Sequence, residues 1–317
     1  MNTIATKRIY KDYKNYYNSN LADQGIYCIM DEENMNIMRA MIVGPKDTPY
    51  EGGCYYFLFN FPKNYPFSPP KVTIETRDRR IRINPNFYTC GKVCLSILNT
   101  WAGEQWTSAC SLSAILLTLQ SRFNEFPIIN EPGFEKSAKS QKSKDYNKVI
   151  QWYNIETAVH GSLVNPPPTF ECFYNEIRLQ FCRHYPQYIK YLTSLYQEDH
   201  KVIQSRIYNC KAIYKPFVFA SMLNDIYENI YPQYKELIDN TTTTTEENDT
   251  NNETSNTETV ETKQTQSSNK KGIRRVPKEK ATHLDIGTKM KSETTGDMYI
   301  VASRKDGRKM WKKIEAK

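Results

Sequence analysis

An α+β fold is what this sequence predicts, a four-stranded antiparallel meander with flanking helices, and three observations carry the prediction. In the run Cys54 to Phe61, the residues Tyr55, Phe57, Phe59 and Phe61 alternate with Tyr56, Leu58 and Asn60. A period of two over eight residues is the mark of a strand with one buried face. Beyond Trp106 the period changes, and Leu112, Ile115, Leu116, Leu119 and Phe123 recur at helical spacing. The connections between the strand-like runs are short and rich in turn residues, which suits hairpins better than crossovers.

Taken in order, residues 7–13 read as a short basic amphipathic helix, and strands are expected over residues 25–30, 36–43, 54–61 and 71–76. The helix beginning at Leu112 needs a cap, which Ser108 or Ser111 can supply. A more polar helical stretch runs from Glu135 to about His160, and Asn165-Pro166-Pro167-Pro168 closes this first domain, residues 1–164. Residues 165–239, rich in Tyr, Phe, Ile and Leu without clear strand alternation, predict a helical extension divided by Pro186, Pro216 and Pro232. Residues 240–270 are dominated by Thr, Asn, Glu, Gln and Ser and have too little apolar surface to order themselves, so a disordered tether is expected. Residues 271–317 regain pattern as a small basic module of three short strands with an Asp306-Gly307 hairpin turn, marginal in stability at this size.

Composition narrows the function classes. No segment approaches the roughly 18 uninterrupted apolar residues of a membrane span, and Met1 to Arg8 lacks the apolar stretch of a secretion signal. Eight cysteines in 317 residues do not make a disulfide framework. The expected setting is therefore a reducing one, cytoplasmic or nuclear. Heavy use of Asn, Lys, Ile and Tyr suits an AT-rich genome, as in protists and large viruses, and a viral source would mean the host cytoplasm. The net charge of +8 resides wholly in residues 271–317, which hold 14 Lys/Arg against 6 Asp/Glu. Nucleic-acid binding thus has support only in the tail, where Lys271, Arg274, Arg275, Lys278 and Lys280 cluster; the plainer reading is a solvated charge run.

Asn84-Pro85-Asn86, followed eight residues after Asn86 by Cys94, carries the chemistry. Acyl transfer through sulfur needs a nucleophile and a donor to the tetrahedral oxyanion, and a thiol with a nearby amide supplies both. Taken alone, Asn-Pro-Asn is a turn signal, and a lone cysteine is most often a small buried hydrophobe.

The surrounding residues decide between these readings. Gly44 to Gly53, the run Phe61-Pro62-Lys63-Asn64-Tyr65-Pro66-Phe67-Ser68-Pro69-Pro70, the cysteine segment and Trp106-Thr107-Ser108-Ala109 occur in the order found in ubiquitin-conjugating enzymes. Over roughly residues 5–160 the chain resembles that family, and most closely its extended subclass, in which Asn-Pro-Asn stands in place of His-Pro-Asn.

The resemblance implies a ubiquitin-conjugating fold and a transferase of the ubiquitin conjugation pathway. Cys94 would carry ubiquitin as a thioester, taken from an activating enzyme and passed to a lysine or a ligase cysteine. Asn86 would be the oxyanion donor, with a loop-stabilising turn as its alternative role. Glu131 falls where the family places an acidic residue at the mouth of the site, able to orient or deprotonate the incoming amine; a solvated loop carboxylate is the competing reading. Phe67, Ser108 and Ala109, with Lys7 and Arg8 of the first helix, would form the partner-binding surface, with Phe67 and Ser108 in the loops that ligases of the RING or HECT type grip; ubiquitin and an activating enzyme are the other implied partners. Core packing is the other reading of Phe67. Ser108 replaces the usual proline there, leaving ligase choice open. No cofactor is implied, since ATP is used by the activating enzyme. No metal is expected either, because Cys90 and Cys94 lack a second ligand pair. A ubiquitin-like modifier, or a non-enzymatic scaffold for ubiquitin or a ligase, remain the alternatives, and the sequence says nothing of oligomeric state.

Overall fold

The computed structural model describes residues 4–76 and 80–249, together with strands at 289–291, 298–303 and 309–313. The chain divides into two compact units, Met1–Asn252 and Glu253–Lys317.

In the first unit, helix α1 (Ile4–Tyr17) buries Ala5, Ile9, Asp12 and Tyr16, three or four residues apart and therefore on one face. Strands β1 (Ile26–Met30), β2 (Ile37–Val43), β3 (Cys54–Asn60) and β4 (Lys71–Ile74) pair antiparallel in sequence order, each within two residues of the expected bounds. The register sets Phe57 opposite Ala40 and Ile74, and Phe59 opposite Met38 and Val72, which collects these side chains on one face. Helix α2 (Leu112–Ser121) closes over that face with Leu112, Ile115, Leu116 and Leu119, and Ser111 is its cap, accepting the Ala114 N–H at 3.2 Å. Helix α3 (Gln141–Tyr153) starts six residues later than expected, because Ser140 caps it by accepting the Ser143 N–H. It then widens into a π-helical stretch, Asn154–Gly161, and a last turn, α4 (Ser162–Val164). Asn154 is held there by the Tyr55 hydroxyl (2.8 Å) and the Glu51 carbonyl (2.9 Å). Position 53 must be glycine for this contact, since a Cβ would lie 1.8 Å from Asn154 Oδ1.

The outer face of the sheet is covered as well. Met41, Val43, Cys54 and Tyr56 pack against Phe170, Phe173 and Ile177, so the segment after Pro168 extends the core to the second face. This explains why Tyr56, on the other face of the strand, is 1% exposed.

The extension differs from an all-helical reading. Its helices α5 (Tyr174–Ser194) and α6 (Pro216–Asp249) pack together, with Tyr185 and Tyr227 stacked at 3.8 Å. Pro216 begins α6, where a missing N–H does no harm, but Pro186 and Pro232 lie inside α5 and α6 and divide nothing. Between the helices sits a hairpin, β5 (Val202–Ser205) and β6 (Cys210–Ile213), that the sequence pattern does not announce. Its strands are four residues long and Ser205 occupies a buried position, so the apolar alternation is too short to read. Helix α6 also runs to Asp249, past the expected start of the tether at residue 240; residues 250–270 lie outside the described residues.

In the second unit, β7 (Lys289–Lys291), β8 (Met298–Ser303) and β9 (Lys309–Lys313) form a three-stranded antiparallel sheet, with Val301 opposite Trp311. The basic cluster at Lys271 to Lys280 is outside the described residues. Among the described residues, no helix is long and apolar enough to cross a membrane.

Candidate active site

The site grows from the turn that follows Ile83. Pro85 blocks regular pairing, and Asn84 folds back on its own chain, its Oδ1 accepting the Asn86 N–H at 3.0 Å. The Asn84 amide is fully buried and donates to the Arg122 carbonyl (2.8 Å) and the Tyr50 hydroxyl (3.0 Å). Tyr50 in turn donates its hydroxyl to the Ile83 carbonyl at 2.6 Å. Asparagine thus does here what a neutral imidazole can do only in part, since it offers one acceptor and two donors at once.

Asn86 and Cys94 then close on each other. The Cys94 N–H donates to the Asn86 carbonyl at 2.9 Å, and the Asn86 side-chain amide donates to the Cys94 carbonyl at 2.8 Å. Gly91 makes the return possible with φ at +92°, a conformation natural to glycine. Beyond the thiol, the Leu95 N–H is taken by Thr100 Oγ1 at 2.9 Å. Cys94 is 2% exposed and free, like the other seven cysteines. Burial pushes the thiols of Cys54 and Cys182 up to about 12 and about 11, which makes them poor nucleophiles. Cys90 is exposed and forms no disulfide with Cys94.

Glu131 caps a short 3-10 turn, Pro127–Asn130. Its loop is tied to the Asn-Pro-Asn turn through Arg122, whose carbonyl accepts from both Asn84 (2.8 Å) and Asn130 (3.2 Å). Glu131 Oε2 accepts the hydroxyl of Tyr208, a residue of the hairpin loop in the extension, at 2.5 Å. Arg82 lies between the rings of Tyr88 and Tyr208, its guanidinium carbon 3.7 and 4.3 Å from their centroids, and donates to the Pro85 carbonyl. Tyr50, Arg82, Arg122 and Tyr208 were not found from sequence. No motif marks Tyr208, which stands 77 residues from the carboxylate it touches.

The partner-surface residues come together at a second place. Phe67 is 71% exposed at the tip of its Pro-framed loop, which excludes core packing. Trp106 donates from its indole to the Pro66 carbonyl (2.7 Å), tying that loop to the one bearing exposed Ser108 and Ala109. Arg8 joins α1 to the same region, donating to the carbonyls of Ser108 (2.7 Å) and Cys110 (2.5 Å) while pairing with Asp12. Lys7 is exposed beside it.

A meander sheet backed by helices, with a thiol pinned to an Asn-Pro-Asn turn, is the layout of the ubiquitin-conjugating fold. The profile of the family described as Ubiquitin-conjugating enzyme matches residues 8–155. Residues 8–155, just under half of the chain, are therefore similar to that family. The chain is similar to Ubiquitin-conjugating enzyme E2 Z of Xenopus tropicalis, with 46% identity over 48% of this chain and 48% of the relative. The Homo sapiens E2 Z is 40% identical over 57% of this chain and 51% of its own length. The Homo sapiens Dual E2 ubiquitin-conjugating enzyme/E3 ubiquitin-protein ligase BIRC6 is 40% identical over 47% of this chain, a match covering 3% of that protein. The chain spans about half the length of the E2 Z relatives it matches.

Proposed function

We propose that this protein is a ubiquitin-conjugating enzyme that carries ubiquitin on Cys94. The observation that carries the reading is the reciprocal bonding of Cys94 and Asn86, which sets a thiol and an amide donor on one rigid turn. In the first step the Cys94 thiolate attacks the carbonyl carbon of the thioester on the activating enzyme. A new C–S bond forms, the old one breaks, and the activating enzyme's thiolate leaves; ATP has been consumed there and no cofactor is needed here.

In the second step a substrate amine attacks the Cys94 thioester. The C–N bond forms, the C–S bond breaks, and the amine proton passes to a base and on to water. Glu131 is the candidate for that base. Asn86 has two amide hydrogens, of which one donates to the Cys94 carbonyl, so the second remains for the developing oxyanion. A ligase cysteine replaces the amine in transfer to HECT-type ligases. The surface joining Lys7, Arg8, Phe67, Ser108 and Ala109 is the proposed partner contact, with Phe67 and Ser108 facing RING- or HECT-type ligases.

The test is a charging assay with ubiquitin, an activating enzyme and ATP, resolved with and without dithiothreitol. A thiol-sensitive adduct, lost in Cys94→Ala and thiol-resistant in Cys94→Ser, is expected. Charging with a ubiquitin-like protein and not with ubiquitin would reassign the modifier, and no adduct with any modifier on folded protein would leave a binding scaffold.

A further inference from the structure

We propose that Tyr208, supplied by the hairpin of the extension, is a positioning residue that aims the Glu131 carboxylate for transfer of the modifier to an amine. The inference rests on the transferase reading above and deepens it.

Three observations converge on this one side chain. The Tyr208 hydroxyl donates to Glu131 Oε2 at 2.5 Å, so one oxygen of this half-buried carboxylate is anchored and the other is left to take an amine proton. The ring of Tyr208 lies against Arg82, and Arg82 donates to the carbonyl of Pro85 inside the Asn-Pro-Asn turn. A single tyrosine therefore touches the carboxylate loop directly and the cysteine turn through one arginine. Its backbone is also held at φ +55°, ψ +13°, with Asn209 next at φ +49°. Two successive non-glycine residues in the left-handed region are a strained arrangement, which persists where the surroundings over-determine it and concentrates at functional sites.

The surroundings do over-determine it. Ile203, Ser205 and Cys210 bury the hairpin's inner face, and the Tyr146 ring of α3 meets the Tyr208 ring edge-on at 5.7 Å. Tyr146 in turn donates to the Arg82 carbonyl. Burial, and then the hydrogen bond to Glu131, raise the Tyr208 phenol well above its ordinary range, so at neutral pH it is the donor in this pair. The hairpin thus works as a fixed arm, and the extension becomes part of the transfer site.

The role predicts selectivity between nucleophiles. An amine must lose a proton on attack and needs the carboxylate; a thiol attacks as its thiolate, already deprotonated, and does not. The experiment charges the full chain with ubiquitin, quenches the activating enzyme, and follows discharge onto free lysine and onto glutathione in parallel. Tyr208→Phe keeps the ring on Arg82 and removes only the hydroxyl. Its expected behaviour is normal charging, normal discharge to glutathione, and discharge to lysine slowed about tenfold, the scale of one hydrogen bond to a charged group. In a Glu131→Ala background the same substitution should slow lysine discharge no further, and Tyr208→Ala, which also frees Arg82, should slow both acceptors.

An unchanged lysine rate in Tyr208→Phe would overturn the proposal, as would an equal loss for lysine and glutathione, or a full additional loss on top of Glu131→Ala. If the unsubstituted chain takes up no thioester, the transferase reading itself fails, and that result is visible before any Tyr208 variant is compared.

Discussion

Asn86 and Cys94 hold each other through both backbone and side chain: the cysteine N–H reaches the asparagine carbonyl at 2.9 Å, and the asparagine amide reaches the cysteine carbonyl at 2.8 Å. The amide orientation is fixed by this pairing, because the reverse would set two acceptors together. Bracing and the proposed oxyanion donation would therefore fall to the same NH2 group with its two hydrogens. Asn86→Ala removes both. A rate loss of about 10²–10³ is expected in discharge to lysine, with a stability loss of about 1–3 kcal/mol from the orphaned Cys94 carbonyl. Asn86→Asp, which retains shape but cannot donate when ionised, should lose the rate as severely. Single-turnover discharge rates beside denaturant melts separate the two effects, and a melt unchanged in Asn86→Ala would refute the bracing role.

Arg8 makes a prediction about stability. Its guanidinium pairs with Asp12, itself 3% exposed, and bonds to the carbonyls of Ser108 and Cys110. Tyr65 gives Asp12 a second partner by donating its hydroxyl at 2.5 Å. Removing the arginine leaves a buried carboxylate with a neutral donor alone, and cuts α1 from the loop after Trp106. Arg8→Ala should cost about 2–4 kcal/mol in a urea melt. Arg8→Lys should recover part of that, since a lysine replaces the charge and not the forked geometry. Exposed Lys7, one residue away, should change stability by less than about 0.5 kcal/mol when replaced by alanine.

Phe67 separates partner binding from folding. At 71% exposure in a loop held by Trp106, its ring contributes little to the core. Phe67→Ala should leave the melting temperature unchanged while ligase-stimulated discharge falls at least tenfold, the loss expected of an aromatic anchor at an interface. Equal stimulation of the variant by several RING and HECT ligases would remove Phe67 from the contact surface.

How far the sequence was legible follows from the range of its signals. The meander, the Ser111-capped helix and the pairing of Asn86 with Cys94 rest on periodicity and on residues close together in the chain, and these can be read from local pattern. Asn84 could be judged an adequate replacement for histidine from its donor and acceptor count, and the structure uses all three of its polar capacities. The Tyr208–Glu131 contact could not be read, because it joins two loops 77 residues apart through a four-residue-strand hairpin without apolar alternation. Pro186 and Pro232 misled for a related reason. Proline's local preference is to end a helix, but the packing of α5 on α6 is strong enough to carry both helices past it.

The crowd of buried tyrosines predicts an alkaline limit to stability. Burial raises the phenols of Tyr55, Tyr146 and Tyr188 well above the ordinary 10.0, and the thiol of Cys54 to about 12 from 9.0. In each case the folded chain keeps its proton when the unfolded chain has lost it. The sign follows directly: stability is fully present below about pH 9 and falls as pH rises beyond, because the unfolded state ionises first and is favoured. Urea midpoints should therefore be level between about pH 7 and 8.5 and drop progressively from pH 9 to 11. Tyrosinate absorbance should rise in two stages, exposed residues such as Tyr10 and Tyr17 first and the buried set together with the loss of helical signal. Smooth titration of all the tyrosines near pH 10, with the helical signal intact, would show that the buried set is accessible to solvent.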